Sequence, residues 1–238
     1  MTLLDRLASN LIVSCQAQTG SPLNTPEVIA AIAAATVQRG AAGVRIEGPD
    51  RVRAVRDRLP NIPLIGLWKQ SIDDFAPYIT PQYRHGEAIA EAGADIIAID
   101  ATPRPRPDGE TVAEIVRLLH ERFGVLVMAD VDSMASAEFA IAAGVDLVGT
   151  TLFGYTEATQ QQTPPGFDLL ADLVAWRDRS DRPVPIICEG GIATPAQMAQ
   201  ALAIGADSVV VGTAITGIDL LVDQYVQALG QWGEDGVR

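Results

Sequence analysis

The chain repeats one phrase four times: an Ala-rich stretch that ends in glycine and runs straight into a short apolar segment. Arg39-Gly40-Ala41-Ala42-Gly43-Val44-Arg45 is the first instance. Glu91–Asp100, Ala143–Thr150 and Ile204–Gly212 follow. Glycine serves the left-handed position just past a helix end. The nearly continuous apolar run after it suits a strand covered on both faces of a parallel sheet. Eight candidate strands can be read in all: Leu11–Ser14, Gly43–Arg45, Leu64–Trp68, Ile96–Asp100, Val125–Ala129, Leu147–Thr150, Val184–Cys188 and Ser208–Val211. Helical patterns separate them. Thr25-Pro26-Glu27 and Thr194-Pro195-Ala196 are helix starts, a threonine cap followed by proline at the first helical position. Eight alternations in 238 residues predict an α/β fold, a single (β/α)8 TIM barrel spanning residues 1–238 as one domain. A doubly wound open sheet is the alternative. It would carry a Gly-rich dinucleotide fingerprint after the first strand, and Ser14-Cys15-Gln16-Ala17 is not one.

In such a barrel, chemistry sits at the C-terminal ends of the strands. Here those ends are Ser14-Cys15-Gln16, Arg45, Lys69, Asp100-Ala101-Thr102, Asp130, Thr150 through Thr156, Glu189-Gly190-Gly191 and Gly212-Thr213-Ala214. Converging on one mouth, they supply one amine, three carboxylates, one guanidinium and one amide. The loops after strands seven and eight, with Gly190, Gly191, Gly212 and Thr213, fit the usual phosphate grip of these barrels. The Pro-rich stretch Thr102–Asp108 follows a strand end and reads as an active-site loop.

Lys69 is the chain's single lysine, beside sixteen arginines. A compositional bias toward arginine would leave such a survivor, but it closes the apolar run Pro63–Lys69 at a strand end. A guanidinium stays protonated, whereas a desolvated ammonium can lose its proton and act as a base. Lys69 and Glu189 are therefore the acid/base candidates, with a structural ion pair at the barrel rim as the alternative for Glu189. A lysine here has two uses, Schiff-base formation with a carbonyl or removal of a proton beside one, and both need a neutral amine.

The net charge of −13 opposes binding to nucleic acid or an anionic membrane. It leaves room for a phosphorylated metabolite, which a few N–H groups can hold. No apolar stretch reaches membrane-spanning length, and residues 1–10 lack a signal-peptide pattern. Cys15 and Cys188 sit in apolar runs and read as buried residues of a cytoplasmic protein. His85 and His120 lie in charge-rich helical stretches and read as surface residues. No cluster has metal-site spacing, so no metal is expected. The apolar helix Leu220–Leu229 fits either the barrel's own last helix or a homodimer interface.

These residues resemble the N-acetylmannosamine-6-phosphate 2-epimerase family of sialic-acid catabolism, over about residues 8–217. The resemblance is carried by Leu11–Ala17, Gly43-Val44-Arg45, the strand ending in Lys69, Tyr78-Ile79-Thr80-Pro81 and Ala90–Thr102. Arg106–Thr111, Met128-Ala129-Asp130, Val148–Leu152, Gly154-Tyr155-Thr156, Glu189-Gly190 and Val210–Thr216 complete it. It implies inversion at C2 of N-acetylmannosamine 6-phosphate, an amino-sugar phosphate, to give N-acetylglucosamine 6-phosphate without a cofactor. On this resemblance Lys69 moves the C2 proton with Glu189 as partner. Gln16, Arg45 and Asp130 orient the sugar and stabilise developing charge, Thr150 and Tyr155 also bind it, and the glycine turns hold the phosphate. The chain departs from the family at Gly217, where an arginine is usual, at Glu47, and over Trp68–Ala76. Loss of a charge-assisted contact at residue 217 should weaken phosphate binding by roughly 1.5–3 kcal/mol. A Schiff-base lyase or aldolase, and a non-catalytic sugar-phosphate sensor, are the competing readings.

Overall fold

The computed structural model describes residues 2–235, and side chains as far as residue 229. Eight parallel strands close into a barrel in sequence order. They are β1 (Leu11–Cys15), β2 (Gly43–Glu47), β3 (Leu64–Leu67), β4 (Ile96–Asp100), β5 (Leu126–Asp130), β6 (Leu147–Gly149), β7 (Ile186–Cys188) and β8 (Ser208–Val211). Closure is made by β1, which pairs with β2 on one side and β8 on the other. All eight fall where the sequence places them, with no end moved by more than two residues. The seventh begins two residues late because Pro183 and Pro185 have no N–H to give a ladder.

Helices α1 (Leu3–Leu7), α2 (Pro26–Gln38), α3 (Pro49–Arg58), α4 (Tyr83–Glu91), α5 (Val112–Phe123), α6 (Met134–Ala142), α7 (Phe167–Arg177) and α8 (Pro195–Ile204) precede β8. A one-turn α9 (Thr213–Thr216) and the long α10 (Ile218–Asp235) follow it. The two threonine starts cap as expected: Thr25 Oγ1 accepts the Val28 N–H at 3.3 Å and Thr194 Oγ1 accepts that of Gln197 at 3.2 Å. The repeated glycines that end helices, Gly40, Gly93, Gly144 and Gly205, all take positive φ.

Strand residues sort by parity into two cores. Val13, Val44, Ile97, Val127, Val148, Ile186 and Val209 face the helices. Ile12, Ile65, Leu67, Ile96, Ala98, Met128, Leu147, Ile187 and Val210 fill the barrel interior. The Leu7 side chain joins the interior set, so α1 closes the bottom. Burying each such aliphatic side chain is worth about 1.5–3 kcal/mol. Helix α4 sits tight on β3 because Gly66 has no side chain: a Cβ there would lie 2.4 Å from Ile89 Cγ2.

One expectation about the periphery is corrected. His85 is buried, packed edge-on to Trp68 with ring centroids 5.4 Å apart. Trp68 has the outward parity of β3, and α4 lays His85 on it. Burial, with Arg84 adding, lowers the His85 pKa, so the ring sits there neutral. His120 is partly exposed and pairs with Asp146 at 2.7 Å. Helix α10 does not bury its apolar residues against its own barrel: Ile218, Leu220, Val222, Tyr225, Val226 and Leu229 are all exposed. Among the described residues no helix is long and apolar enough to cross a membrane.

Candidate active site

A cavity of about 720 Å3 opens at the C-terminal ends of the strands. Its lining includes Gln16, Arg45, Lys69, Tyr155, Glu189, Gly190, Gly191, Gly212 and Thr213. All of these sequence-predicted residues meet in one place. Two others do not reach it. Asp130 is fully buried behind Arg45, and Thr150 is fully buried beside β7.

Parity explains the division. Arg45 pairs with Ile65 in register, and Lys69 continues the inward series Ile65, Leu67. Asp130 continues from Met128, and Glu189 from Ile187. Thr150 has the outward parity of Val148. It acts on the backbone instead: its hydroxyl donates to the Glu189 carbonyl at 2.8 Å and accepts the Glu189 N–H at 3.1 Å. Thr151, next along, has the inward parity, lines the cavity and donates to Asp130 Oδ1 at 2.6 Å. Counting parity on from Leu147 would have singled it out.

The centre of the site is a buried ion cluster. Arg45 grips Asp130 with both terminal nitrogens, Nη1 at 3.1 Å and Nη2 at 2.6 Å. Its Nη1 also lies 2.9 Å from Glu189 Oε2. That contact is an ion pair without hydrogen-bond alignment, since Glu189 Oε2 has no hydrogen-bond partner. Burial works against the Arg45 charge, but Asp130 and Glu189 outweigh it and raise the pKa. Burial pushes the Glu189 carboxyl up to about 7; Arg45 opposes the rise and Asp130 adds to it. Lys69 stands in the mouth at the end of β3. Desolvation lowers its pKa first and Arg45 second, while Glu47, Glu189 and Asp130 partly offset them. Glu47 accepts the Lys69 backbone N–H at 3.4 Å and pairs with Arg51. A base held toward neutrality and an acid held toward protonation thus face one cavity.

The third carboxylate, Asp100, is covered. Arg104 pairs with it at 2.6 Å, Thr102 donates to it at 2.7 Å, and no residue of the Thr102–Asp108 loop lines the cavity. The loop expected at the active site is therefore a cap on the β4 end.

Following Glu189 and β8, Gly190–Ala193 and Gly212–Gly217 contribute to the rim. Gly191 takes φ +71, and a Cβ there would lie 2.4 Å from Pro164 Cβ; only glycine serves. The Ala193 and Thr194 N–H groups are taken by Gln197 Oε1 at 2.8 and 3.2 Å. The N–H groups of Thr213 and Ala214, in the first turn of α9, have no intrahelical acceptor. Arg45 and Lys69 are the only cations among the described lining residues, and Asp219 lies at this rim. At Gly217 a Cβ would lie 2.7 Å from Thr213 Cγ2 and 2.8 Å from its backbone. The turn is built around the absence of a side chain. Among the described residues, no group of His, Cys, Asp and Glu could hold a metal ion.

A family profile described as "Putative N-acetylmannosamine-6-phosphate epimerase" matches residues 29–231. The chain belongs to that family. A curated relative from Synechococcus elongatus, named as a 2-epimerase of the same substrate, is 58% identical over 95% of this chain and 96% of its own. One from Cutibacterium acnes is 44% identical over 98% and 95%. The solved structure of the N-acetylmannosamine-6-phosphate 2-epimerase from Clostridium perfringens superposes with a TM-score of 0.89 at 36% identity, covering 96% of both chains. A thiamine phosphate pyrophosphorylase from Pyrococcus furiosus, 14% identical with a TM-score of 0.60, shares the fold of this epimerase-family chain.

Proposed function

We propose that the protein inverts C2 of N-acetylmannosamine 6-phosphate to give N-acetylglucosamine 6-phosphate, with no cofactor, in cytoplasmic amino-sugar and sialic-acid catabolism. The observation that carries this reading is the meeting of Lys69 and Glu189 in one cavity, with the Arg45–Asp130 pair buried against Glu189; the opposed pKa directions, Lys69 down and Glu189 up, agree with it. In the open-chain sugar the C2 proton is acidified by the adjacent aldehyde. Neutral Lys69 removes it, the C–H electrons form the C1–C2 double bond, and the carbonyl electrons move onto O1. A proton delivered to the opposite face of C2 restores the aldehyde and yields the epimer. Protonated Glu189 is the partner acid, Arg45 is fixed by Asp130, and Gln16 and Tyr155 contact the sugar. Gly190, Gly191, Gly212 and Thr213 hold the phosphate through backbone N–H groups. A Schiff-base lyase would use the same lysine. Incubation with N-acetylmannosamine 6-phosphate and borohydride separates the two. The epimerase converts the sugar and leaves Lys69 unmodified; a reduced covalent adduct on Lys69 would refute this mechanism.

The assembly we propose is a homodimer. The exposed apolar face of α10 is its support: Tyr225 and Leu229 are 77% and 69% exposed, and Leu220 belongs also to the cavity rim. Equilibrium sedimentation of the full chain should give twice the chain mass, and Tyr225→Glu with Val226→Glu should give a monomer. A monomeric unmodified chain would defeat the proposal.

A further inference from the structure

Between β3 and β4 the chain makes a short strap that crosses back over the mouth. Lys69 and Ile79 face each other in an antiparallel bridge. The Gln70 N–H donates to the Tyr78 carbonyl at 2.9 Å, and the Thr80 N–H to the Trp68 carbonyl at 2.8 Å. The Asp100 N–H donates to the Ile79 carbonyl at 2.8 Å, so the strap is clipped to both strand ends. Thr80 is fully buried at φ +46, and its hydroxyl donates to the Ala98 carbonyl at 2.7 Å while accepting the Trp68 N–H at 3.1 Å. Such a conformation at a non-glycine residue persists only when its surroundings over-determine it. The outcome is that Tyr78, one residue from the Lys69–Ile79 pair, lines the same cavity as Lys69, Arg45 and Glu189.

Removal of the C2 proton leaves negative charge on O1 of the sugar. That oxygen needs a donor that is in place beforehand and not already engaged. Arg45 is only 1% exposed, and both terminal nitrogens are turned to Asp130. One N–H of the Gln16 amide donates to Ser14 Oγ at 2.9 Å, and the Thr151 hydroxyl donates to Asp130. The Tyr78 hydroxyl makes no hydrogen bond among the described residues, and its ring is half-buried in the cavity wall, whereas Tyr155, the other unengaged phenol of the lining, is 58% exposed to water.

On the epimerase reading, we propose that Tyr78 is a further catalytic residue, whose hydroxyl donates a hydrogen bond to O1 as the enolate forms. No proton is transferred by Tyr78: it donates to the carbonyl oxygen, holds the oxyanion, and is released when C2 is reprotonated. Burial, then Asp130 and Asp100, raise its pKa above the ordinary phenol value, so it stays protonated as a donor throughout the working range.

The test compares the full chain with Tyr78→Phe, which keeps the ring and removes only the hydroxyl. Conversion of N-acetylmannosamine 6-phosphate and uptake of solvent deuterium at C2 are followed together. The expected result is a kcat lower by about 10²-fold, the loss seen for one oxyanion donor. KM should stay within threefold and the thermal midpoint should be unmoved. A wall residue that only packs against the sugar would leave kcat intact. A Tyr78→Phe kcat within threefold of the unmodified chain, or a loss confined to KM, would overturn the role while the epimerase reading stood. An unmodified chain that neither converts nor exchanges the sugar would remove both.

Discussion

Arg45, Asp130 and Glu189 lock together over 2.6–2.9 Å, with Arg45, Glu189 and Lys69 lining the cavity. Two turns of the same cavity, Gly190–Gly191 and Gly212–Gly217, offer backbone N–H groups, and the described charged side chain beside them in the lining is the carboxylate of Asp219. The first region is assembled from charges whose protonation is set by burial and by one another. The second is assembled from chain geometry, so it depends on residues that lack side chains. The two should therefore fail differently: substitutions at the first should strike turnover, and substitutions at the second should strike affinity or folding.

The largest effect is expected for Lys69→Arg. A guanidinium cannot give up its proton, so kcat should fall about 10³–10⁴-fold, the upper part of the 10²–10⁴-fold range of a positioned base, in a variant with unchanged circular dichroism. Next is Glu189→Gln, with a loss of about 10²-fold. The unmodified kcat/KM should follow a bell in pH whose two limbs are the titrations of Lys69, lowered by burial and Arg45, and of Glu189 at about 7. The limb at about 7 should vanish in Glu189→Gln. Stability should respond too. The folded pKa of Glu189 is raised from 4.5 to about 7, so its contribution is full below the first value and lost as pH rises through the second. Relative to Glu189→Gln, the thermal midpoint of the unmodified chain should drop across that window; a constant difference would contradict the shift. The smallest functional effect belongs to Gly217→Arg. Restoring a cation ought to favour phosphate, but its Cβ collides with Thr213. Overpacking of this kind costs about 1–3 kcal/mol, so a lower midpoint and a KM within threefold are expected. A tenfold fall in KM would show that the rim has room for the side chain.

The same contrast governs how much could be read in advance. The barrel was legible because each glycine-ended helix and apolar run is a local signal, and eight of them in order permit few closures. The charged region was legible because inward parity turns a strand end into a direction: Arg45, Lys69 and Glu189 follow it. Thr150 follows a strand end but keeps the outward parity of Val148, so Thr151 and not Thr150 lines the cavity. The position of Thr102–Asp108 after a strand points to the mouth, and Arg104 and Arg106 instead fold it onto Asp100. Tyr78 was out of reach of pattern reading, since its place comes from a strap between strands rather than from any strand's periodicity. His85 looked polar in sequence, and only the packing of α4 on Trp68 shows its burial.

The central claim is that Lys69 moves the C2 proton, and deuterium at that carbon tests it most directly. In deuterated water the Glu189 carboxyl carries a solvent deuteron, so the proton that Lys69 removes is replaced at C2 by a deuteron from the acid on the other face. The account predicts that N-acetylglucosamine 6-phosphate formed in the first turnovers carries deuterium at C2, and that Lys69→Arg forms neither epimer nor label. Inversion without C2 deuterium, or label still entering in Lys69→Arg, would contradict it.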